Sequence, residues 1–287
     1  MVSKYGDLYL SARRALLKQE EPQRASMVAR ELLRFASGKE AAELIALRDQ
    51  YASEEVCIRM TELLARALGG EPLAYILEQW DFYGMTLYVN RDVLIPRDDT
   101  CAVTELAIQR ALYLDTCPRV LDLCTGSGCI GLALANRIKD ARVTLADVSK
   151  EALAVAKRNT VLQKLTGRVS CLQVDALQPA PGFLGTFDLI VSNPPYIRTE
   201  EMATLEPSVR DFEPHVALEA GPDGLQFYRA IVRNFYAALK PGGWICLEFG
   251  MGQADAVCAL LARHGFQNIQ RKIDFNGMER AISAQKR

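Results

Sequence analysis

Apolar residues recur at three- and four-residue spacing on a charged background over residues 2–18, 24–36, 41–50 and 54–67. This period predicts four amphipathic helices. Gly69-Gly70 and then Glu71-Pro72 end the pattern, since glycine closes helices and proline cannot continue them. Residues 82–89 and 93–95, divided by Asn90-Arg91-Asp92, predict a β-hairpin. From Thr100 onward short apolar runs alternate with amphipathic stretches, as a parallel sheet covered by helices requires. The runs fall at 120–123, 141–146, 169–174, 187–192 and 244–249, the last after Pro241-Gly242-Gly243. Residues 266–273 and 279–284 predict a closing antiparallel pair. The expected organisation is a helical domain over 1–80, a hairpin linker over 81–99 and an α/β domain over 100–287.

Polar residues collect where these runs stop. The run at 120–123 leads into Cys124-Thr125-Gly126-Ser127-Gly128 and then an amphipathic stretch from Ile130. Gly126 and Gly128 permit a tight turn and close approach of a ligand at a helix amino terminus. The spacing is neither G-x-G-x-x-G nor a loop ending in G-K-[ST], so nicotinamide and P-loop sites are not indicated. Asp147 follows the next run. It reads either as an acceptor for ribose hydroxyls or as the N-cap of a helix starting near Ser149. Asp175-Ala176 follows the third run, and Asn193-Pro194-Pro195-Tyr196 the fourth. An Asn-Pro pair is a common turn, but it also offers an amide oxygen, proline carbonyls and an aromatic face to a planar group bearing an NH2. Four polar strand ends in register suggest the ligand-binding edge of a doubly wound sheet.

Asp122 to Gly128, Asp147, Asp175-Ala176 and Asn193 to Tyr196 together resemble the class I S-adenosylmethionine methyltransferases that alkylate a planar nitrogen. Gly70-Glu71-Pro72-Leu73-Ala74-Tyr75-Ile76, Val93 to Arg97, Phe212-Glu213-Pro214 with Ala217-Leu218, and Gly221 to Leu225 narrow the resemblance. They are similar to the protein-glutamine N5-methyltransferases that modify translation release factors. The likeness spans about residues 60–285. It implies a Rossmann-like, seven-stranded, mostly parallel sheet behind a small N-terminal helical domain. It also implies S-adenosyl-L-methionine as methyl donor, S-adenosyl-L-homocysteine as product, and the Gly-Gly-Gln loop of peptide chain release factors as protein substrate. Carried onto this chain, cofactor binding falls to Asp122, Cys124, Thr125, Gly126, Ser127, Gly128, Asp147, Asp175, Ala176 and Asn193. Substrate binding falls to Asn193, Pro194, Pro195 and Tyr196. Among these, Asn193, Pro194 and Tyr196 take the catalytic roles, which are to position and polarise the amide rather than to exchange protons. Two places depart from the family pattern: Cys124 replaces a first glycine, and Asp98 and Cys101 stand in Arg97 to Cys101 where Arg-Pro-acidic-Thr-Glu is usual.

Composition separates the remaining readings. The chain of 287 residues is 49% hydrophobic, enough for a packed core, with a net charge of −1. No basic run stands out, whereas proteins that hold duplex DNA cluster Lys and Arg against phosphates. This disfavours adenine-N6 methylation of nucleic acid, the principal alternative. Methylation of a ribosomal-protein glutamine is the alternative within the class, and a degenerate cofactor-binding module is the non-enzymatic one. The eight cysteines lack a C-x-x-C pair and the two histidines, His215 and His264, lack partners at ligand spacing, so no metal is expected. The start of the chain has no signal-peptide pattern and no apolar run approaches the ~20 residues that span a bilayer, so a cytoplasmic enzyme is expected.

Overall fold

The computed structural model describes residues 3–114 and 117–287. The chain divides into two compact units, Met1–Glu78 and Gln79–Arg287. In the smaller unit, α1 (Tyr5–Leu16), α2 (Pro22–Ser37), α3 (Ala41–Ala46), α4 (Glu54–Leu68) and α5 (Leu73–Leu77) enclose a core that includes Leu32, Leu33, Met60 and Ile76. Pro22 opens α2, where its missing N–H costs nothing, and the Ser53 hydroxyl accepts from Val56 N at the start of α4. The third helix is shorter than the periodicity suggests. The carbonyls of Arg48 and Gln50 instead accept from the amides of Gly6 (2.8 Å) and Tyr5 (3.1 Å), capping α1.

The larger unit begins with a hairpin of β1 (Gln79–Phe82) and β2 (Met85–Tyr88). Its turn is Tyr83-Gly84, both at positive φ (49° and 76°), the conformation that matches strand twist in a two-residue loop. The expected hairpin, with 93–95 as its second arm, is therefore displaced. Residues 93–95 form no strand because Ile95 N donates to the Glu213 carboxylate instead of to a neighbouring backbone.

After the hairpin come α6 (Thr100–Leu112), β3 (Arg119–Leu123), α7 (Cys129–Arg137), β4 (Arg142–Asp147), α8 (Lys150–Leu162), β5 (Val169–Gln173) and β6 (Phe187–Ser192). The short α9 (Pro207–Arg210), α10 (Gln226–Asn234), β7 (Leu239–Glu248), α11 (Ala254–Arg263), β8 (Phe266–Ile273) and β9 (Glu279–Lys286) follow. The sheet order is β5-β4-β3-β6-β7-β9-β8, with β9 antiparallel to both neighbours and the other pairings up to β7 parallel. This is the seven-stranded, mostly parallel α/β architecture the sequence indicates. Both faces are covered. Val120, Val143, Leu189 and Val191 pack with α6 and α7 on one side, and Leu121, Leu123, Ile190 and Ile245 with α10 and α11 on the other. Each such side chain contributes about 1.5–3 kcal/mol on burial, which holds the central strands rigid beneath their loops. Strand order reverses between β3 and β6, so their carboxyl ends flank the crevice where sheets of this kind bind ligands.

Candidate active site

Leu123 lies opposite both Ala146 and Ser192, so Cys124, Asp147 and Asn193 emerge side by side from adjacent strands. Below them Asp122 is fully buried. Its Oδ2 accepts from Thr125 Oγ1 (2.6 Å) and Gly131 N (2.9 Å), fastening both ends of the glycine turn to β3. Burial pushes this carboxyl up to about 7 against the opposing effect of those two bonds. Asp122 therefore acts through the turn and does not line the cleft. Cys124 (φ 58°), Gly126 (52°) and Gly128 (83°) all take left-handed conformations. A Cβ at Gly128 would come within 3.1 Å of Leu145 and 3.2 Å of Leu132. The left-handed backbone and the close leucines thus favour a glycine at 128, and the turn carries a cysteine at 124 under strain of about 1–2 kcal/mol.

The Asp147 carboxylate accepts from Gly126 N (2.9 Å) and Ser149 N (3.0 Å). The N-cap role belongs to Ser149, whose Oγ accepts from Ala152 N (3.0 Å). Burial raises the Asp147 carboxyl above its ordinary range, and the two backbone donors oppose this. Asp175 accepts from Leu177 N (2.8 Å), turning the chain after β5 beside Ala176. Asp147, Asp175 and Asp92 line one cleft with Cys124, Thr125, Gly126 and Ser127, and no Lys, Arg or His lines it among the described residues. Val148, Val174, Ala176 and Phe227 supply apolar walls. An acidic cleft with a glycine turn and a flat apolar end suits a cation carrying a ribose and a base, and disfavours phosphate-bearing nucleotides. S-adenosylmethionine, a sulfonium with an α-amino group and an adenosine, fits these residues.

Asn193 and Pro195 border this cleft, while Asn193 and Tyr196 also line a second, adjoining cavity with Leu94, Arg97, Ile197, Val209, Ala217 and Leu218. Asn193, Leu94 and Ala217 are common to both. Pro194, between Asn193 and Pro195 in the chain, is buried and lines neither cavity. The loop is held from three directions. Ser192 Oγ donates to Leu123 O (2.5 Å), Asn193 Nδ2 donates to Thr100 Oγ1 (3.3 Å), and Gln253 Nε2 donates to Tyr196 O (3.0 Å). Gln253 Nε2 also donates to Gly224 O (3.3 Å), and its Oε1 accepts from Gly250 N (2.9 Å) and Tyr228 Oη (3.3 Å), so one amide locks three loops. Burial raises the Tyr196 hydroxyl, keeping it neutral. The segment bearing Asp98 and Cys101 is anchored at two points. Arg97 pairs with the buried Glu213, and Asp99 with Arg280 Nε (3.2 Å).

The structure places Cys124, Thr125, Gly126, Ser127, Asp147, Asp175, Ala176, Asn193 and Pro195 on one cleft and Tyr196 on the adjoining cavity. Asp122 and Gly128 sit beneath. Sequence reasoning gave no role at the site to Thr100, Asn159, Glu213 or Gln253. Asn159, wholly buried on α8, donates from Nδ2 to Ser127 O and Tyr88 O (both 2.9 Å), and its Oδ1 accepts from Tyr88 N (2.7 Å). Only the amphipathic position of this polar residue on the inner face of α8 marked it out.

Residues 7–77 match the family model described as the PrmC N-terminal domain, and residues 104–208 match the methyltransferase small domain. A release factor glutamine methyltransferase of Geobacter sulfurreducens is 38% identical over 271 residues, which cover 94% of this chain and 92% of that protein. One from Bradyrhizobium diazoefficiens is 38% identical over 286 residues, covering 96% and 94%. Among solved structures, a methyltransferase from Pyrococcus furiosus shares the fold at a TM-score of 0.51 and 16% identity, covering 79% of this chain and 98% of that one. At this identity, over nearly the whole of both chains, the chain belongs to the release factor glutamine methyltransferase family.

Proposed function

We propose that the enzyme methylates the side-chain amide nitrogen (N5) of the glutamine in the Gly-Gly-Gln loop of peptide chain release factors. The observation that carries this reading is the pair of cavities that share Asn193, one acidic and one largely apolar with an aromatic wall. When bound, S-adenosylmethionine supplies an electrophilic methyl group on a sulfonium. Asp147 would accept from its ribose hydroxyls, the main chain of Cys124 to Gly128 would hold the methionine portion, and Asp175 and Ala176 would border the adenine.

At the second cavity, Asn193 Oδ1 would accept one hydrogen of the substrate amide and the carbonyl of the adjoining Pro194 the other, with Tyr196 packing on its plane. These acceptors oppose delocalisation of the nitrogen lone pair into the substrate carbonyl as positive charge grows on nitrogen. Fixed dipoles act most strongly where charge develops. Fixing the nitrogen in line removes orientational entropy from the barrier. No carboxylate or imidazole lines this cavity among the described residues, so the proton of the alkylated amide leaves to water.

The helical unit would supply contact area to the protein substrate, because a glutamine pocket alone is too small for protein recognition. Such an enzyme works in the cytoplasm, where release factors meet the ribosome. No helix among the described residues is long and apolar enough to cross a membrane. The test is labelled methyl transfer to release factor, to its Gly-Gly-Gln variant with Gln→Ala, and to unmethylated DNA. Label on wild-type release factor alone supports the reading, and label on DNA or on the alanine variant overturns it.

A further inference from the structure

The two ends of the Asn193 amide have the same shape and opposite hydrogen-bonding character, so a clamp for an NH2 group works only if Oδ1 faces the substrate. Something in the protein must therefore fix which end points inward. Asn193 Nδ2 donates to Thr100 Oγ1 at 3.3 Å. A hydroxyl that accepts there still carries a hydrogen of its own to place. Thr100 is buried, and its carbonyl is occupied by Thr104 Oγ1 (2.8 Å). Glu248, the last residue of β7, is 2% exposed and comes next to Asn193 across the sheet, since Ser192 pairs with Leu247 just before them; the Thr100 hydroxyl and the Asn193 amide both favour its charged form against burial. We infer that Glu248 is a positioning residue: as the terminal acceptor of the chain Asn193 Nδ2–H to Thr100 Oγ1–H to carboxyl, it holds Oδ1 of Asn193 toward the substrate.

The position is costly for a carboxyl. Oε2 is buried without a hydrogen-bond partner among the described residues. Among the described residues no cation is paired with Glu248: Arg280, whose charge favours it, is bonded to Asp99 (3.2 Å) and Asp274 (3.3 Å), and Asp99 adds repulsion. Burial accordingly lifts Glu248 to about 8. A neutral side chain of equal size would satisfy packing better, so stability does not account for a carboxyl here. A dependable acceptor does, because a carboxyl oxygen accepts whether or not its partner oxygen carries a proton. A glutamine could turn its NH2 toward Thr100, reverse the chain and swing the Asn193 amino group into the pocket.

The inference rests on the glutamine-methylation reading, and the test separates the two. Glu248→Gln is measured for melting temperature, S-adenosylhomocysteine affinity and single-turnover methylation of release factor, alone and in an Asn193→Ala background. Thr100→Val and Thr100→Ser are measured beside it. The expected result is an equal or higher melting temperature, cofactor affinity within about twofold, and a rate lowered roughly tenfold, the size of one hydrogen bond. In the Asn193→Ala background the same change should have no further effect. Thr100→Val should behave like Glu248→Gln, and Thr100→Ser like wild type. Wild-type rates in both Glu248→Gln and Thr100→Val overturn the positioning role, as does an equal loss with and without Asn193. Failure of the wild-type enzyme to label release factor overturns the functional reading instead.

Discussion

Asn159 joins three parts of the larger unit that are far apart in sequence: α8, the end of the hairpin at Tyr88, and the glycine turn at Ser127. Asn159→Ala deletes three hydrogen bonds of 2.7, 2.9 and 2.9 Å. Each is worth about 0.5–1.5 kcal/mol net, and a buried group left unpaired loses more. Tyr88 is half-buried and can recover water at its N–H and C=O, whereas Ser127 is 2% exposed and cannot. The sum is about 2–4 kcal/mol. For a unit of ~200 residues each kcal/mol moves the melting midpoint by about 2–4 °C, so a fall of roughly 5–12 °C is expected. Freed from Asn159, the Ser127 carbonyl should also let the turn drift, weakening S-adenosylhomocysteine binding by about tenfold, the equivalent of one lost contact. Scanning calorimetry and titration calorimetry read the two effects. Asn159→Asp should be no better than alanine, since a carboxylate cannot donate to either carbonyl. A midpoint within 2 °C of wild type, with cofactor affinity unchanged, would refute the reasoning by showing that the turn and hairpin are held without this amide.

Asn193→Ala should leave S-adenosylhomocysteine binding within a few-fold by titration calorimetry while lowering turnover by about two to three orders of magnitude, the loss typical of one preorganised catalytic contact. Asp147→Ala should do the reverse, weakening cofactor binding by at least ~100-fold as charged hydrogen bonds of about 1.5–3 kcal/mol each disappear. Cys124→Gly relieves a left-handed non-glycine residue and should keep cofactor affinity at or above wild type in the same assay. Stability should fall as pH rises from about 4.5 to 8. Asp122 and Glu248 are raised by burial to about 7 and about 8, so between their ordinary and folded values the native state binds more protons than the unfolded one. Urea midpoints at pH 5.5 and 8 test this, and Glu248→Gln should flatten the slope; a midpoint that rises with pH would contradict it.

The strands and the residues at their tips were legible because a parallel strand buried on both faces is a short unbroken apolar run, and its polar end is conspicuous. Asp147, Asp175 and Asn193 stand out in this way. The hairpin was misplaced because its turn uses Tyr83 at positive φ, which no turn preference flags, while Asn90-Arg91-Asp92 offers more familiar turn residues. The supports of the site left no mark of their role, although Glu213 and Thr100 fall within stretches that carry the family resemblance. Thr100, Glu213 and Gln253 meet the site through side-chain bonds that span 93, 116 and 57 positions of sequence. Each sits in a segment whose local pattern is that of an ordinary helix end or loop. Periodicity reports which face of an element is apolar, and is silent about which buried polar atom will meet another across the fold.

The place of β9 bears on how a ribosome can deliver this enzyme. β9 is the last strand in chain order, yet it lies between β7 and β8, and β8 has no other partner in the sheet. During synthesis β3 to β7 can pair as they emerge, but β8 must wait, its amide edge uncovered, until residues 279–286 arrive and slide between it and β7. A chain that stops before Glu279 therefore keeps every residue lining the cofactor cleft and still exposes two unmatched strand edges. Such edges are sites for mispairing with other nascent chains. The fold thus makes possession of the binding residues and completion of the sheet separate events, with the second as the checkpoint on the first.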